Sequence, residues 1–196
     1  MAQLLSCEWP MGATATRMTA EQYYAVTVEG DRKQLVDGEI VVNEPKATHA
    51  LLQIRLGGAL QEWVTAAAGR GLALMPTDVR MDEFNVYGPD LLWFSAEHLP
   101  EDLAAYPELV PDLCVEIRSQ STWRYDIGAK KRVYEKGGLP ELWLVDDVAR
   151  TVLVYRRSEP SAATFDVALE LGKGETLSSP LLPEFTLALS ELFAEP

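Results

Sequence analysis

Between Pro89 and Lys131 the chain spaces two carboxylates and a lysine in a way that could serve a divalent cation. Asp90 follows Pro89 and opens the apolar run Leu91-Leu92-Trp93-Phe94. Glu116 interrupts a second run, Leu113-Cys114-Val115-Glu116-Ile117, and Lys130 lies in the segment after it. Mg²⁺ takes hard oxygen ligands, and two carboxylates with waters and a substrate phosphate suit it. Such an ion polarises a phosphoryl oxygen and activates water, and a nearby ammonium stabilises the developing charge. The pattern points to metal-assisted hydrolysis of a phosphodiester.

Each residue also has a plainer reading. Asp90 after a proline suits a simple turn. Glu116 in an apolar strand would cost several kcal/mol unpaired, so it needs a metal or a salt bridge to Arg118 or to the following basic helix. At about 100° per residue, Ile127, Val133 and Tyr134 define an apolar arc with Lys130 near its middle. Its ammonium can reach back to Glu116 or pair with Asp126 at i,i+4. Arg118 shares a strand face with Glu116. It can contact phosphate or bridge Glu116 or Asp112, but a guanidinium stays protonated and cannot act as a base. Glu39, after the Asp37-Gly38 turn, and His49, on the inward face at the start of a long helix, could add a metal or water contact. They could equally be a solvated strand carboxylate and a first-turn polar residue.

The elements that must position these groups are legible in the spacing. Met18 to Tyr24 reads as a short helix, with Thr19 as N-cap and Gln22 three residues later. Lys33–Val42 reads as a hairpin around Asp37-Gly38. Leu52, Leu56, Ala59, Leu60, Trp63 and Ala67 recur at helical spacing over 47–68, ahead of Gly69 to Gly71. Strands are expected at 72–75, 78–81, 89–94 and 111–118. In the last of these, Leu113, Val115 and Ile117 alternate with Asp112, Cys114, Glu116 and Arg118. Residues 95–110 read as an acidic surface loop with at most a helical turn. A helix over 124–134, a hairpin of 141–146 with 151–156, a strand at 165–171 and a closing segment through Phe193 complete a mixed α and β order around a central sheet.

At 196 residues the chain fits one domain, expected over 18–196 behind a poorly ordered leader at 1–17. No apolar run approaches the roughly 20 residues of a membrane span, and without a basic start ahead of a long apolar core in the first 18 residues no secretory signal is expected. Cys7 and Cys114 lie far apart and lack histidines at zinc spacing, which argues for a reducing cytoplasm and against a thiolate metal site. The chain contains no Gly-rich phosphate loop, G-x-S-x-G or H-E-x-x-H, so no organic cofactor is expected. The formal charge of −13 lacks the basic footprint of a nucleic-acid binder. The one dense basic run is Arg124 to Lys136, with Lys130, Lys131 and Arg132 inside it.

The chain resembles the Uma family of restriction-endonuclease-like proteins, a branch of the PD-(D/E)xK nuclease superfamily. The resemblance spans about Met18 to Phe193. It rests on Asp37-Gly38-Glu39-Ile40, His49, Asp82 through Leu91, Pro111 through Ile117, Ser119-Gln120-Ser121-Thr122, Arg124-Tyr125-Asp126 with Lys130 and Tyr134, Gly138 through Asp146, and Ser179 through Pro183. It implies a restriction-endonuclease-like α/β core, a central mixed β-sheet flanked by helices, with added β-hairpins. Asp90 and Glu116 would bind the metal, Lys130 would be a lysine moved from strand to helix, and Glu39 an auxiliary acid. Mg²⁺, with Mn²⁺ as substitute, and DNA would be cofactor and substrate. A homodimer follows from the need to cut two strands. Two departures flank Glu116: Arg118 replaces an apolar residue and Gln120 a proline. They keep open an alternative, an interaction or regulatory module on a nuclease scaffold.

Overall fold

The computed structural model describes residues 17–28 and 30–195. The leader expected at 1–17 therefore lies outside the described residues, apart from Arg17, and so does Cys7. Arg17 donates to Asp37 O at 2.8 Å and stacks 4.4 Å above the Phe84 ring. Cys114 is a free, buried thiol.

Helix α1 (Ala20–Val26) begins at a reciprocal cap. Thr19 Oγ1 accepts the Gln22 N–H at 3.3 Å, and Gln22 Oε1 accepts the Thr19 N–H at 2.9 Å. Strands β1 (Lys33–Val36) and β2 (Glu39–Val42) form the expected hairpin. Asp37 (φ 52°) and Gly38 (φ 80°) both sit in the left-handed region that a two-residue turn of this hand requires. Helix α2 (Ala47–Ala66) then buries Leu52, Leu56, Leu60 and Trp63, as their spacing demands. Beyond it lie β3 (Leu72–Leu74), β4 (Val79–Asp82) and β5 (Asn85–Tyr87). Strand β5 was not expected. Three residues are too few to show a period, and only pairing with β1 and β4 makes them a strand.

Strands β6 (Leu91–Phe94) and β7 (Leu113–Ile117) follow, separated by a loop without a helix. The chain crosses the sheet through α3 (Trp123–Tyr125), a π-helical turn (Asp126–Lys130) and α4 (Lys131–Lys136). It returns as β8 (Glu141–Asp146), β9 (Thr151–Arg156) and β10 (Val167–Gly172). The closing segment is a further hairpin, β11 (Thr176–Ser179) and β12 (Leu182–Ala188), with a short α5 (Leu189–Leu192).

The main sheet runs β10-β9-β8-β7-β6-β3, and only the β7–β8 pair is parallel. It is the mixed sheet anticipated, with the helical crossover that parallel neighbours need. A second sheet runs β2-β1-β5-β4. On one face of the main sheet Leu113, Val115, Ile117, Trp143 and Val145 pack against α2, β12 and α5. On the other, Cys114, Leu142 and Leu144 pack with Tyr134 and Leu139, and with Val36, Val41 and Tyr87 of the second sheet. Strand β7 is thus buried on both faces, and the side carrying Glu116 faces protein rather than water.

The terminal hairpin is pinned by a buried acid. Glu141 Oε2 accepts the Ser179 hydroxyl at 2.7 Å and Oε1 accepts Trp143 Nε1–H at 2.6 Å. Burial raises the Glu141 carboxyl above its ordinary range, against these two hydrogen bonds, which lower it. The folded state therefore holds this proton more tightly than the unfolded chain, and stability falls as pH rises from the ordinary glutamate range through the raised one. Glu141→Gln removes that term, so its melting temperature should gain on wild type as pH rises from the ordinary glutamate range in circular-dichroism melts. A constant difference over that rise would contradict the assignment.

Candidate active site

Strands β6 and β7 pair antiparallel, with Leu91 opposite Val115. Continuing that register by one residue sets Asp90 across from Glu116, and directly opposed Cβ atoms lie about 4.5–5.5 Å apart. Asp90 is clamped from two elements. Its Oδ2 accepts the Ile117 N–H at 2.7 Å and faces His49 Nε2 at 3.1 Å. One turn along α2, Gln53 Nε2 donates to the Asp90 carbonyl at 2.9 Å. His49 and Gln53 are i,i+4 neighbours, so a single helix face holds both the side chain and the backbone of Asp90.

Glu116 is held from the crossover helix. The Tyr134 hydroxyl donates to Glu116 Oε1 at 2.6 Å, and Lys130 Nζ lies 2.6 Å from the same oxygen. Lys130 Nζ is also 3.0 Å from Asp126 Oδ1. Both lysine contacts are close ion pairs. The Tyr87 ring centroid lies 5.3 Å from the ammonium. Asp126 is steadied from behind: Thr122 Oγ1 donates to its Oδ2 at 3.0 Å, and Ser119 Oγ lies 2.8 Å from Thr122 Oγ1. The Ser119-to-Thr122 turn therefore opens the helix and orients the cluster together.

The π turn decides which side chains point inward. Widening the helix by one residue sets Asp126 and Lys130 on the buried face, each 1% exposed. Ile127, expected on the inward arc, is instead 47% exposed. Lys130 lands where its spacing predicted, and it makes both of the contacts that were open to it.

Electrostatics here follow from burial first and from neighbouring charges second. Burial raises the Glu116 carboxyl, opposed by Lys130 and reinforced by Asp126 and Asp90. Burial likewise raises Asp126, opposed by Lys130 and by the Thr122 hydrogen bond. For Lys130, burial disfavours the charge, but Asp126 and Glu116 outweigh it and hold the ammonium above its ordinary range. Lys130 therefore keeps its proton, while the Glu116 carboxyl is pushed up to about 8. Tyr134 is pushed well up by burial and by Glu116, so it remains a neutral donor.

Asp90, Glu116, Lys130 and His49 thus converge, as their spacing suggested. Glu39 does not enter the cluster. It is exposed at the start of β2, on the strand face that carries Val41, with no hydrogen bond or ion pair to the other four. Arg118 departs from both bridges considered for it. Its Nη1 pairs with Asp146 Oδ2 at 2.7 Å and its guanidinium lies 5.4 Å from the Trp123 ring centroid. The cause is the parallel β7–β8 register, which brings the end of β8 beside Arg118, while Asp112 is held by Ser95 N–H and His98. Gln120 is exposed. Sequence reasoning gave Asp126 only as a pairing partner and missed Gln53 and Tyr134 as site residues. The last two sit four residues beyond His49 and Lys130, a spacing that was readable.

The residues present suit a hard divalent ion. Among the described residues, neither Asp90 Oδ1 nor Glu116 Oε2 has a hydrogen-bond partner. Two carboxylates, Glu116 and Asp126, share one ammonium, and Asp90 lies beside them facing His49. Among the described residues no group of three or more His, Cys, Asp or Glu side chains is placed to hold a metal. The protein would supply two oxygens and leave the rest to water and substrate, as Mg²⁺ sites commonly do. The buried triad also makes a stability prediction. Lys130→Met strands two buried carboxylates and should cost about 3–5 kcal/mol in urea unfolding. Adding Asp126→Leu should recover part of the loss; a single variant as stable as wild type would refute the pairing.

Comparison with known proteins agrees with the fold. A solved structure from Anabaena variabilis, described as a putative nuclease belonging to DUF820, superposes with a TM-score of 0.74. The match covers 90% of this chain and 98% of that one at 17% sequence identity, so it speaks to the fold. No curated protein matches the chain. Residues 20–190 match the Uma2 family, described as a putative restriction endonuclease. The chain belongs to the Uma2 family of restriction-endonuclease-like proteins.

Proposed function

We propose that this chain is a metal-dependent nuclease that hydrolyses DNA phosphodiester bonds, with Mg²⁺ as its ion and Mn²⁺ as a substitute. The observation that carries the reading is the pair of unpartnered oxygens, Asp90 Oδ1 and Glu116 Oε2, beside a buried and charged Lys130. Asp90 and Glu116 would hold the ion, which when bound supplies a Lewis acid and an acidified water. His49 and the Ile117 N–H fix the Asp90 carboxylate, and Tyr134 fixes that of Glu116. Lys130 keeps its proton, so it acts as a fixed positive charge for the developing oxyanion and not as a base. Glu39, at the solvent-facing end of β2, is left as an auxiliary acid.

Substrate attraction would come from the crossover helix. Arg124, Arg132 and Lys136 are exposed there, a local cationic surface on a chain of net charge −13. A symmetric homodimer would present two such sites, one for each strand of a duplex. The residue that argued for a blocked site is engaged elsewhere, because Arg118 pairs with Asp146. Supercoiled plasmid with Mn²⁺ or Mg²⁺ tests the reading. Wild type should nick it, and Asp90→Asn and Glu116→Gln should each be slower by at least about 100-fold, or about 2.7 kcal/mol, while remaining folded by circular dichroism. Equal nicking by all three proteins, or none by wild type with either ion, would overturn it.

A further inference from the structure

A cleft of about 760 Å³ adjoins this site, with Asp90, His49 and Gly88 in its wall. Arg32 and Lys33, at the start of β1, line it too. Strand register separates the two cations. Lys33 stands opposite Val42 and Gln34 opposite Val41. The Arg32 carbonyl accepts the Asn43 N–H at 2.8 Å, so the ladder runs on through Arg32. By alternation Arg32, Gln34 and Val36 share one face with Val41, while Lys33 goes with Leu35 on the other. Val36 and Val41 pack with Tyr87 and with Tyr134, whose hydroxyl meets Glu116. Gln34 Nε2, on the same face, reaches Gly88 O at 3.3 Å, two residues before Asp90. Arg32 lies two residues, about 7 Å, along β1 from Gln34. The face that carries Arg32 is therefore the one that meets the catalytic layer.

The charges of the wall are not equally engaged. Lys33 Nζ pairs with Asp31 Oδ2 at 2.7 Å. Asp78 Oδ2 receives the Tyr23 hydroxyl at 3.2 Å, and Asp90 is held by the Ile117 N–H and His49. Arg32 is exposed, and among the described residues its guanidinium has neither a hydrogen bond nor an ion pair. A guanidinium stays protonated, and its planar fork matches a phosphate. The first turn of α2, which supplies His49, adds to the same potential. Its N-cap, Lys46, makes no side-chain capping bond, and no acid stands in that turn to offset the positive end of a 20-residue helix. Tyr106 also lines the cleft and is 45% exposed, an aromatic of the kind on which unpaired bases stack. The volume falls in the range of pockets that hold small molecules, so it admits a short stretch of one strand and not a duplex.

We infer that this cleft is the track of the cut strand beside the acids, with the Arg32 guanidinium clamping a phosphate that flanks the scissile one. The inference rests on the nuclease reading for which strand lies there, but its test does not need cleavage.

Fluorescence anisotropy with a labelled single-stranded oligonucleotide, without divalent metal, measures the contact as KCl is raised from about 50 to about 200 mM. In Arg32→Ala the slope of log affinity against log salt should be shallower by about 0.7, the share of one phosphate on a single strand. Arg32→Lys keeps the charge and should keep the slope. Lys173→Ala, which removes an exposed cation from the turn between β10 and β11, should also leave the slope at its wild-type value. No binding by wild type, a wild-type slope in Arg32→Ala, or the same loss in Arg32→Lys or Lys173→Ala would overturn the inference. A slope lost in Arg32→Ala alone, with no plasmid nicking by wild type, would sink the nuclease reading and leave the cleft as a strand-binding groove. Nicking with an unaltered slope would do the reverse.

Discussion

The ammonium of Lys130 sits between Glu116 and Asp126 with almost no access to water. A buried charge is tolerable only when its desolvation is offset by close opposite charge, and the offset is lost if any partner moves. The arrangement therefore constrains its surroundings. Glu116 must leave β7 on the face toward the crossover helix, and that helix must present Asp126 and Lys130 together. The π turn does this by adding one residue to the turn. Tyr134 and Thr122 then remove the remaining freedom of the two acids through a hydrogen bond to each.

The rest of the fold supplies rigid walls for this group. Strand β7 is covered on both sides, by α2 and the terminal hairpin on one and by the second sheet and the crossover helix on the other. Helix α2 does double service, with Leu52, Leu56, Leu60 and Trp63 in the core while His49 and Gln53 reach Asp90. Side chains held by packing and by neighbouring hydrogen bonds keep a reactive geometry better than side chains on a free loop. The cost of the design is local: burial and the nearby Asp126 and Asp90 raise the Glu116 carboxyl, and Lys130 contacts only two of the three acids. A dication would relieve the repulsion among these acids.

The long-range field works against nucleic acid, since the chain is strongly acidic. Attraction falls off within roughly a Debye length, about 8 Å at physiological salt, so a nearby cluster of cations can dominate the distant negative body. Arg124, Arg132 and Lys136 stand on the helix that also carries Lys130. The exposed cations and the buried charge thus come from one element, with its two faces divided between them.

Local pattern carried much of this structure. The Thr19 and Gln22 cap, the Asp37-Gly38 turn, the apolar spacing of α2 and the alternation of β7 are short-range signals, and each appears where the residues put it. Asp90, Glu116, Lys130 and His49 were readable for a related reason: polar residues at positions whose neighbours are apolar stand out. Strand β5 and the β11–β12 hairpin were not legible, because their identity comes from pairing partners distant in the chain. The exposure of Ile127 depended on a π turn that no residue spacing announces. Arg118 was placed beside Glu116 by strand alternation, and only the parallel register of β7 with β8 delivered it to Asp146. Sequence alone determined which residues needed a partner. Which partner each one found was decided by tertiary structure, because burial creates the demand locally while strand register and helix phase, set by the whole chain, bring the answering group within reach.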